Sequence, residues 1–399
     1  MKILMLGWEL PPYHSGGLGI ACYQLCKGLA KAGVGIEFIV PYEAEHNIDF
    51  MKVTSATKVA VEEFALALGA YTTERSAQIS LMPMSFQNLF EQTQNYARSI
   101  DHVVKMAEFD VIHAHDWLTV SAALRAKAIS GKPLIMHYHA TEFDRTAGSR
   151  GNEMVHEIEQ MGLSMADLVI TVSEYTRQLV INNYGVDPDR VRVVHNRIDA
   201  DMYDLADRKN SYPAFEQLKK SGFKVVSHIG RITIQKGLWN LLHAFEQVVD
   251  KRPKTLLLMA GNGEQIRELQ VLAADLGIAQ NVFFTNKFVG GTDWSSAFKQ
   301  TDLFLLPSVS EPFGLTPLEA ALFGVPSLAT RQCGVTEIFK NCLKVDYWDE
   351  KEMANQIVSA LNSDSLLEVL TANAMLEVKQ LTWHAASEHF IDSYEAVLA

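Results

Sequence analysis

The feature that most restricts the fold is an alternation, run through twice, of short β-rich stretches with helix-like ones. The first series is KILML, GIEFIV, FDVIHAH, KPLIMHYH, ADLVITVS and RVRVVHN; the second is KVVSHIG, TLLLMAG, NVFFTN, TDLFLLPS and PSLAT. Strands that read as near-continuous apolar runs are buried on both faces, and intervening helices are what bury them, so each series predicts a mostly parallel sheet with helices on both sides. The opening is a complete unit of this kind. It has a strand at KILML, a loop GWELPPYHSGGLG, a helix pattern from Ile20 to Lys31 and a strand at GIEFIV. Helices are also expected over Leu238 to Val249, Glu264 to Leu276, Pro317 to Phe323 and Thr382 to Leu398. The middle piece, Phe50 to Ile100, is less regular.

A chain of 399 residues that is 48% hydrophobic has more apolar material than one core uses, and supports two domains of roughly 200 residues each. The text turns polar from Asp199 to Ser221, where a linker is expected. Two doubly wound domains in tandem imply a cleft. No internal repeat is legible. The formal net charge of −12 argues against nucleic acid and anionic membrane as partners, while leaving room for a local basic patch. The apolar run Ile3 to Leu6 is too short for a signal peptide, and no stretch approaches the roughly 18 apolar residues of a span, so a cytoplasmic protein is expected. Cysteines at 22, 26, 333 and 342 form no CxxC pair, and Cys22 and Cys26, one helical turn apart, read as core.

In open α/β sheets the chemistry sits in loops beyond the carboxyl ends of strands, and several unusual segments fall there. SGGLG, residues 15–19, ends the loop after the first strand and can bring backbone N–H groups to an anion. A dinucleotide fingerprint would need a small residue where Cys22 stands and a shorter loop, so a dehydrogenase is disfavoured. His113 and His115, and His137 and His139, pair at i and i+2 and share one side of their strand ends. With Asp116 they could compose a binuclear metal site; the second series offers no matching cluster, so a hydrogen bond to a ligand oxygen is the preferred role and no metal is expected. Arg231 and Lys236, in GRITIQKG, place two cations after a strand in an acidic protein, as in a phosphate clamp. AGNGE, residues 260–264, is a further glycine turn. Thr316, Pro317, Leu318 and Glu319 spell a capping box with proline at the first helical position.

Taken together, GRITIQKG, EPFGLTPLEA, SGGLG, HATEFDR, VSEYT and VHNRID resemble the retaining, nucleotide-sugar-dependent glycosyltransferases of family 4, near the glycogen and starch synthase branch, over nearly the whole chain. The resemblance implies an α/β GT-B fold. It has an N-terminal Rossmann-like domain on the acceptor side over 1–200, a linker over 201–222, a C-terminal nucleotide-sugar-binding domain over 223–380, and a helix over 381–399 crossing back to the first domain. It implies that Arg231, Lys236 and the backbone of Gly314, Leu315 and Thr316 hold the donor diphosphate, with Gly16 and Gly17 approaching it from the first domain. Glu311 would accept from the donor sugar and Glu319 from the ribose. His139 would be the sugar-binding histidine, with His137 as second choice, and Asp116 would orient acceptor or sugar. The base would lie near Gly263 in AGNGE and Phe288 in NKFVG.

The implied reaction moves a sugar, glucose being the leading choice, from UDP-glucose or ADP-glucose to a saccharide or α-glucan, with retention and without an obligatory metal. Lobe closure would exclude water. Oligomeric state is left open. Arg197 stands where that family often has glycine, which puts the turn there in question. The rival readings are a nucleotide-sugar epimerase, a non-catalytic nucleotide-sugar-binding protein, and a hydrolase at the histidine cluster. Only the hydrolase predicts inactivation by a chelator.

Overall fold

A computed structural model describes residues 1–13, 16–59, 86–205, 209–287 and 289–399. It divides into two compact units, one of Met1–Arg197 with Thr382–Ala399, the other of Ile198–Leu381.

The strands of the first unit are β1 Lys2–Leu6, β2 Gly35–Val40, β3 Lys52–Ser55, β4 Val111–His115, β5 Leu134–Tyr138, β6 Leu168–Thr171 and β7 Val191–Val193. They form one sheet in the order β3-β2-β1-β4-β5-β6-β7, parallel throughout. The central strands β4 and β5 are buried at every position, as their unbroken apolar text requires. Their histidines are buried with them. The structure shows Phe86–Met106 as a 21-residue helix inside the piece that reads as irregular. Among its described side chains the inward face carries Leu89, Tyr96, Ala97, Ile100, Val103 and Val104, with many polar residues between them, so its apolar signal is diluted. The helix Trp383–Leu398 belongs to this first unit, with Trp383, Phe390 and Tyr394 fully buried; its backbone at Trp383 lies against Gly28.

The strands of the second unit are β8 Lys224–Ile229, β9 Thr255–Ala260, β10 Val282–Phe284, β11 Leu303–Leu306, β12 Ser327–Thr330 and β13 Leu343–Val345. Their order is β10-β9-β8-β11-β12-β13, again all parallel. The edge strand β13 has three residues, too few to display a period, and sequence reading passes over it. The stretch 201–222 expected as a linker contains the helix Pro213–Lys220, whose Phe215 is buried, and lies wholly within the second unit.

Both sheets reverse direction of winding at one point, between β1 and β4 in the first and between β8 and β11 in the second. Ligands of open α/β sheets bind in the crevice outside the carboxyl ends of the two strands at such a point, because the connections there leave to opposite faces. The loops after β1, β4, β8 and β11 are the ones that carry the unusual sequences.

Candidate functional site

In the second unit, the loops after β8 and β11 are tied together by backbone. The Val309 N–H donates to the Gln235 carbonyl at 2.9 Å, and Gly237, with φ of +63°, packs so tightly that a Cβ there would lie 2.1 Å from the Pro307 carbonyl oxygen. Only glycine satisfies both conditions. The tie brings Lys236 onto Glu311 as a mostly buried ion pair, and Ser308 Oγ donates to the same carboxylate oxygen at 3.0 Å. Arg231 Nη2 donates to Gln235 Oε1 at 2.9 Å. The two cations read as a clamp are therefore already oriented, Lys236 by an acid and Arg231 by an amide. Behind them His228 is fully buried, its Nδ1 3.2 Å from the Leu305 carbonyl; burial, with Lys236 nearby, depresses its pKa to about 4, so it is neutral.

The segment after Glu311 turns through Gly314, with φ of +87°. Among the described residues, the N–H groups of Gly314, Leu315 and Thr316 meet no acceptor, whereas those of Leu318 and Glu319 both donate to the Leu315 carbonyl, at 2.9 and 3.1 Å. Three consecutive unpaired amides, half-exposed, form a nest for an anion. The same hydrogen bonds correct the capping-box expectation. The helix is Thr316–Leu322, its N-cap is Leu315 with no side-chain cap, and Thr316 is already its first residue, so no box can form. The Glu319 carboxyl instead accepts from the Tyr203 hydroxyl at 3.0 Å. Burial raises its pKa to about 7, against the opposing pull of that hydrogen bond.

Gly263 packs against the loop after β8, where a Cβ would fall 2.2 Å from the Ile232 carbonyl oxygen, and the Ile232 N–H donates to Asn262 O at 2.9 Å. The turn AGNGE is thus held at the switch point by backbone contact. Phe288 lies outside the described residues.

In the first unit Gly16 is the N-cap of the helix Gly17–Lys31, and the space beside Gly17 is open. The carboxylate of Glu9, 6% exposed, already serves this helix end: its Oε2 accepts from the Gly19 N–H at 3.3 Å, and a Cβ on Gly16 would lie 2.8 Å from it. Asp116 follows β4 with φ of +55°, an unusual conformation for a residue other than glycine. It is fully buried, and its Oδ1 accepts from the N–H groups of His139 at 2.6 Å and Ala140 at 3.4 Å. Its place is thus beneath the His139 backbone, with Oδ2 buried and without a hydrogen-bond partner among the described residues. Burial pushes its pKa up to about 7 against the pull of Arg145.

Sheet register stacks the four histidines. His115 lies beside His137 in register, His113 Nε2 is 3.2 Å from His137 Nδ1, and His115 Nδ1 is 3.0 Å from His139 Nε2. His113 Nδ1 also meets the Tyr394 hydroxyl at 2.7 Å. The groups Cys22, His115, His139 and His113, His115, His137 each bring three ligand atoms within 4.8 Å, a geometry that could hold a metal ion, although the rings also satisfy one another. Burial holds the cluster neutral: His113 and His139 are depressed to about 3, and His115 and His137 well below the ordinary imidazole range.

This sets the pH dependence of the first unit. Each of these imidazoles takes up a proton near pH 6.5 in the unfolded chain and not in the folded one, so its stabilisation is complete above about 6.5 and is lost as pH falls towards 3. Asp116, raised by burial to about 7, acts with the opposite sign below that pH, and Glu159, also raised by burial, acts in the same sense as Asp116. The four histidines outnumber the two carboxyls, so the net effect of acidification between roughly pH 6 and 4.5 is a loss of stability. Calorimetry should show the melting temperature falling steeply on acidification through this window; a flat profile contradicts the neutral cluster.

Two family models match the chain, Glycosyltransferase Family 4 over residues 15–202 and Glycosyl transferases group 1 over residues 213–376. The chain belongs to the family 4 glycosyltransferases of the GT-B fold. An uncharacterized glycosyltransferase of Methanocaldococcus jannaschii is 26% identical over 412 residues, covering 100% of this chain and 99% of that protein. The glycogen synthase of Mycobacterium tuberculosis is 26% identical over 372 residues, covering 86% of this chain and 80% of its own. Among solved structures, the catalytic domain of starch synthase IV from Arabidopsis thaliana, bound to ADP and acarbose, matches with a TM-score of 0.72 at 16% identity, over 100% of this chain and 99% of that one. That likeness speaks for the fold alone. No helix among the described residues is long and apolar enough to cross a membrane.

Sequence reading of this glycosyltransferase missed four neighbours of the candidate site residues. Tyr203 and His228 gave no signal. Arg145 and Glu159 were legible only as ordinary helix charges, yet both are buried: Arg145 donates to Glu142 Oε2 at 2.9 Å, to the Ala140 carbonyl at 3.1 Å and to Glu159 Oε1, so it fixes the turn that carries His139.

Proposed function

We propose that this glycosyltransferase transfers a hexose, with glucose as the leading candidate, from a nucleoside diphosphate sugar to a saccharide acceptor such as an α-glucan, with retention at the anomeric carbon. The observation that carries the reading is the run of three unpaired amides at Gly314, Leu315 and Thr316, in the same unit as the Lys236–Glu311 pair and Arg231. Such donors suit a diphosphate whose negative charge grows as it leaves, and because they are oriented beforehand they need not reorganise during reaction. Arg231 and Lys236 would meet the diphosphate, Glu311 a hydroxyl of the transferred sugar, and Glu319 the ribose. Gly263 would border the base. In the first unit, Gly16 and Gly17 are assigned to phosphate and His139, neutral and able to donate or accept, to a sugar hydroxyl. Asp116 positions His139.

UDP-glucose and ADP-glucose are the leading donors. The likeness to glycogen synthase supports a glucan-type acceptor. A thermal-shift screen of UDP, ADP, GDP and their sugars, followed by product analysis with maltooligosaccharides, tests the reading. At least one nucleotide should raise the melting temperature, and the product linkage should keep the donor's anomeric configuration; no shift with any nucleotide would sink it. We further expect turnover to survive exhaustive treatment with a chelator, since no assigned step uses a metal. Loss of activity restored by a divalent ion would instead assign chemistry to the histidine cluster.

A further inference from the structure

Tyr203 follows the turn Ala200–Met202 and is clamped by aromatic packing. Its ring stacks on Trp294 with centroids 5.5 Å apart and planes 22° apart. Trp294 in turn meets Phe298 at 4.8 Å and Phe323 at 5.4 Å, both edge-on. Phe323 immediately follows the helix Thr316–Leu322 that carries Glu319. Tyr203 and Glu319 are therefore fixed to one rigid frame, which aims the phenol at Glu319 Oε1, 3.0 Å away. A carboxyl 9% exposed would otherwise lack the hydrogen bonds that water supplied in the unfolded chain, and leaving such a group unpaired is more costly than the net gain of an ordinary hydrogen bond.

We propose that the Tyr203 hydroxyl is an internal stand-in for a ribose hydroxyl, occupying Glu319 between turnovers and competing with the nucleotide for it, so that it weakens retention of the nucleoside diphosphate product. The inference rests on the assignment of Glu319 to the donor ribose. A diol that takes the Oε1 edge of Glu319 displaces the phenol from it, and the free energy of that hydrogen bond is subtracted from nucleotide affinity. When the product leaves, the phenol returns and the buried carboxyl is not left unpaired. The depressing effect of Tyr203 on the carboxyl's otherwise raised pKa agrees with a bond formed preferentially to the charged form.

The test is Tyr203→Phe, which removes one oxygen and keeps the stack on Trp294. Dissociation constants of UDP and ADP, and of their 2′,3′-dideoxy forms, are measured for both proteins by calorimetry. The expected result is that Tyr203→Phe binds the better of the two ribonucleotides about tenfold more tightly, as the loss of one hydrogen bond in the competing state requires, with the dideoxy form unchanged. Discrimination between ribo and dideoxy forms is then larger in the variant than in the wild type. The melting temperature of the nucleotide-free variant should be lower than that of the wild type, and the two should converge at saturating nucleotide. If both proteins bind nucleotide equally, Glu319 and the transferase reading stand while the stand-in role is overturned. Weaker binding by the variant makes Tyr203 a direct ligand contact and also overturns it. If neither protein binds any nucleotide, the underlying functional reading fails and takes this inference with it.

Discussion

Lys236→Ala is expected to lower kcat/KM by about a hundredfold to a thousandfold while leaving the fold intact, the scale seen when one oriented donor to a developing oxyanion is lost. The side chain reaches Glu311, and its backbone sits in the turn that packs against the loop after β11. Alanine keeps that backbone and removes only the charge. Glu311 retains the Ser308 hydroxyl at 3.0 Å, so the carboxylate is not left wholly unpaired and the destabilisation should be modest. Circular dichroism and the melting temperature establish that the variant is folded, and steady-state kinetics with the identified donor gives the loss. Turnover equal to the wild type would contradict the clamp. Because the missing charge meets a leaving diphosphate, most of the loss should fall on kcat. A loss confined to KM would place Lys236 in ground-state binding alone.

Arg145→Met should cost stability, by about 3–5 kcal/mol, because it removes the cation from a buried cluster of acids and leaves them uncompensated. Glu142 and Glu159 both accept from its guanidinium, Tyr184 donates to Glu159, and the Glu142 N–H donates to Glu159 Oε2 at 3.0 Å. These side chains are almost wholly inaccessible, so water cannot replace the lost donor. For a unit of this size such a loss corresponds to a melting temperature lower by about 6–20 °C. Arg145→Lys should recover only part of it, since an ammonium cannot span two carboxylates and the Ala140 carbonyl as the planar fork does. A thermal scan of both variants decides the matter, and a shift under 2 °C for Arg145→Met would contradict a stabilising network. The nucleotide affinity of the second unit should be unaffected in either variant.

The residues of the candidate site were legible where their type is forced by position. Arg231, Lys236, Gly314 and Glu311 follow strands whose apolar runs could be located; that the loops after β8 and β11 meet at a switch point is given by the sheet order, which the alternation alone does not display. What could not be read was partnership. Glu319 looked like half of a capping box because local spacing is all that a sequence displays; in the folded chain the Leu315 carbonyl had already taken the first-turn donors. Its actual partner, Tyr203, is more than a hundred residues away. Asp116 could be read only as an acid near four histidines; the positive-φ backbone at that residue turns its carboxylate beneath the His139 backbone. The helix Pro213–Lys220 was hidden in polar text because a single buried phenylalanine suffices to seat so short an element.

The sequence by itself determined the two parallel sheets, most of their strands, and which loops carry cations and glycines, because hydrophobic periodicity and backbone freedom are local properties of the chain. Only the tertiary structure decided which charges are paired, which amides are left without an acceptor and which acids are buried. Those outcomes depend on contacts between segments far apart in the chain, where burial decides whether water or another side chain supplies each hydrogen bond.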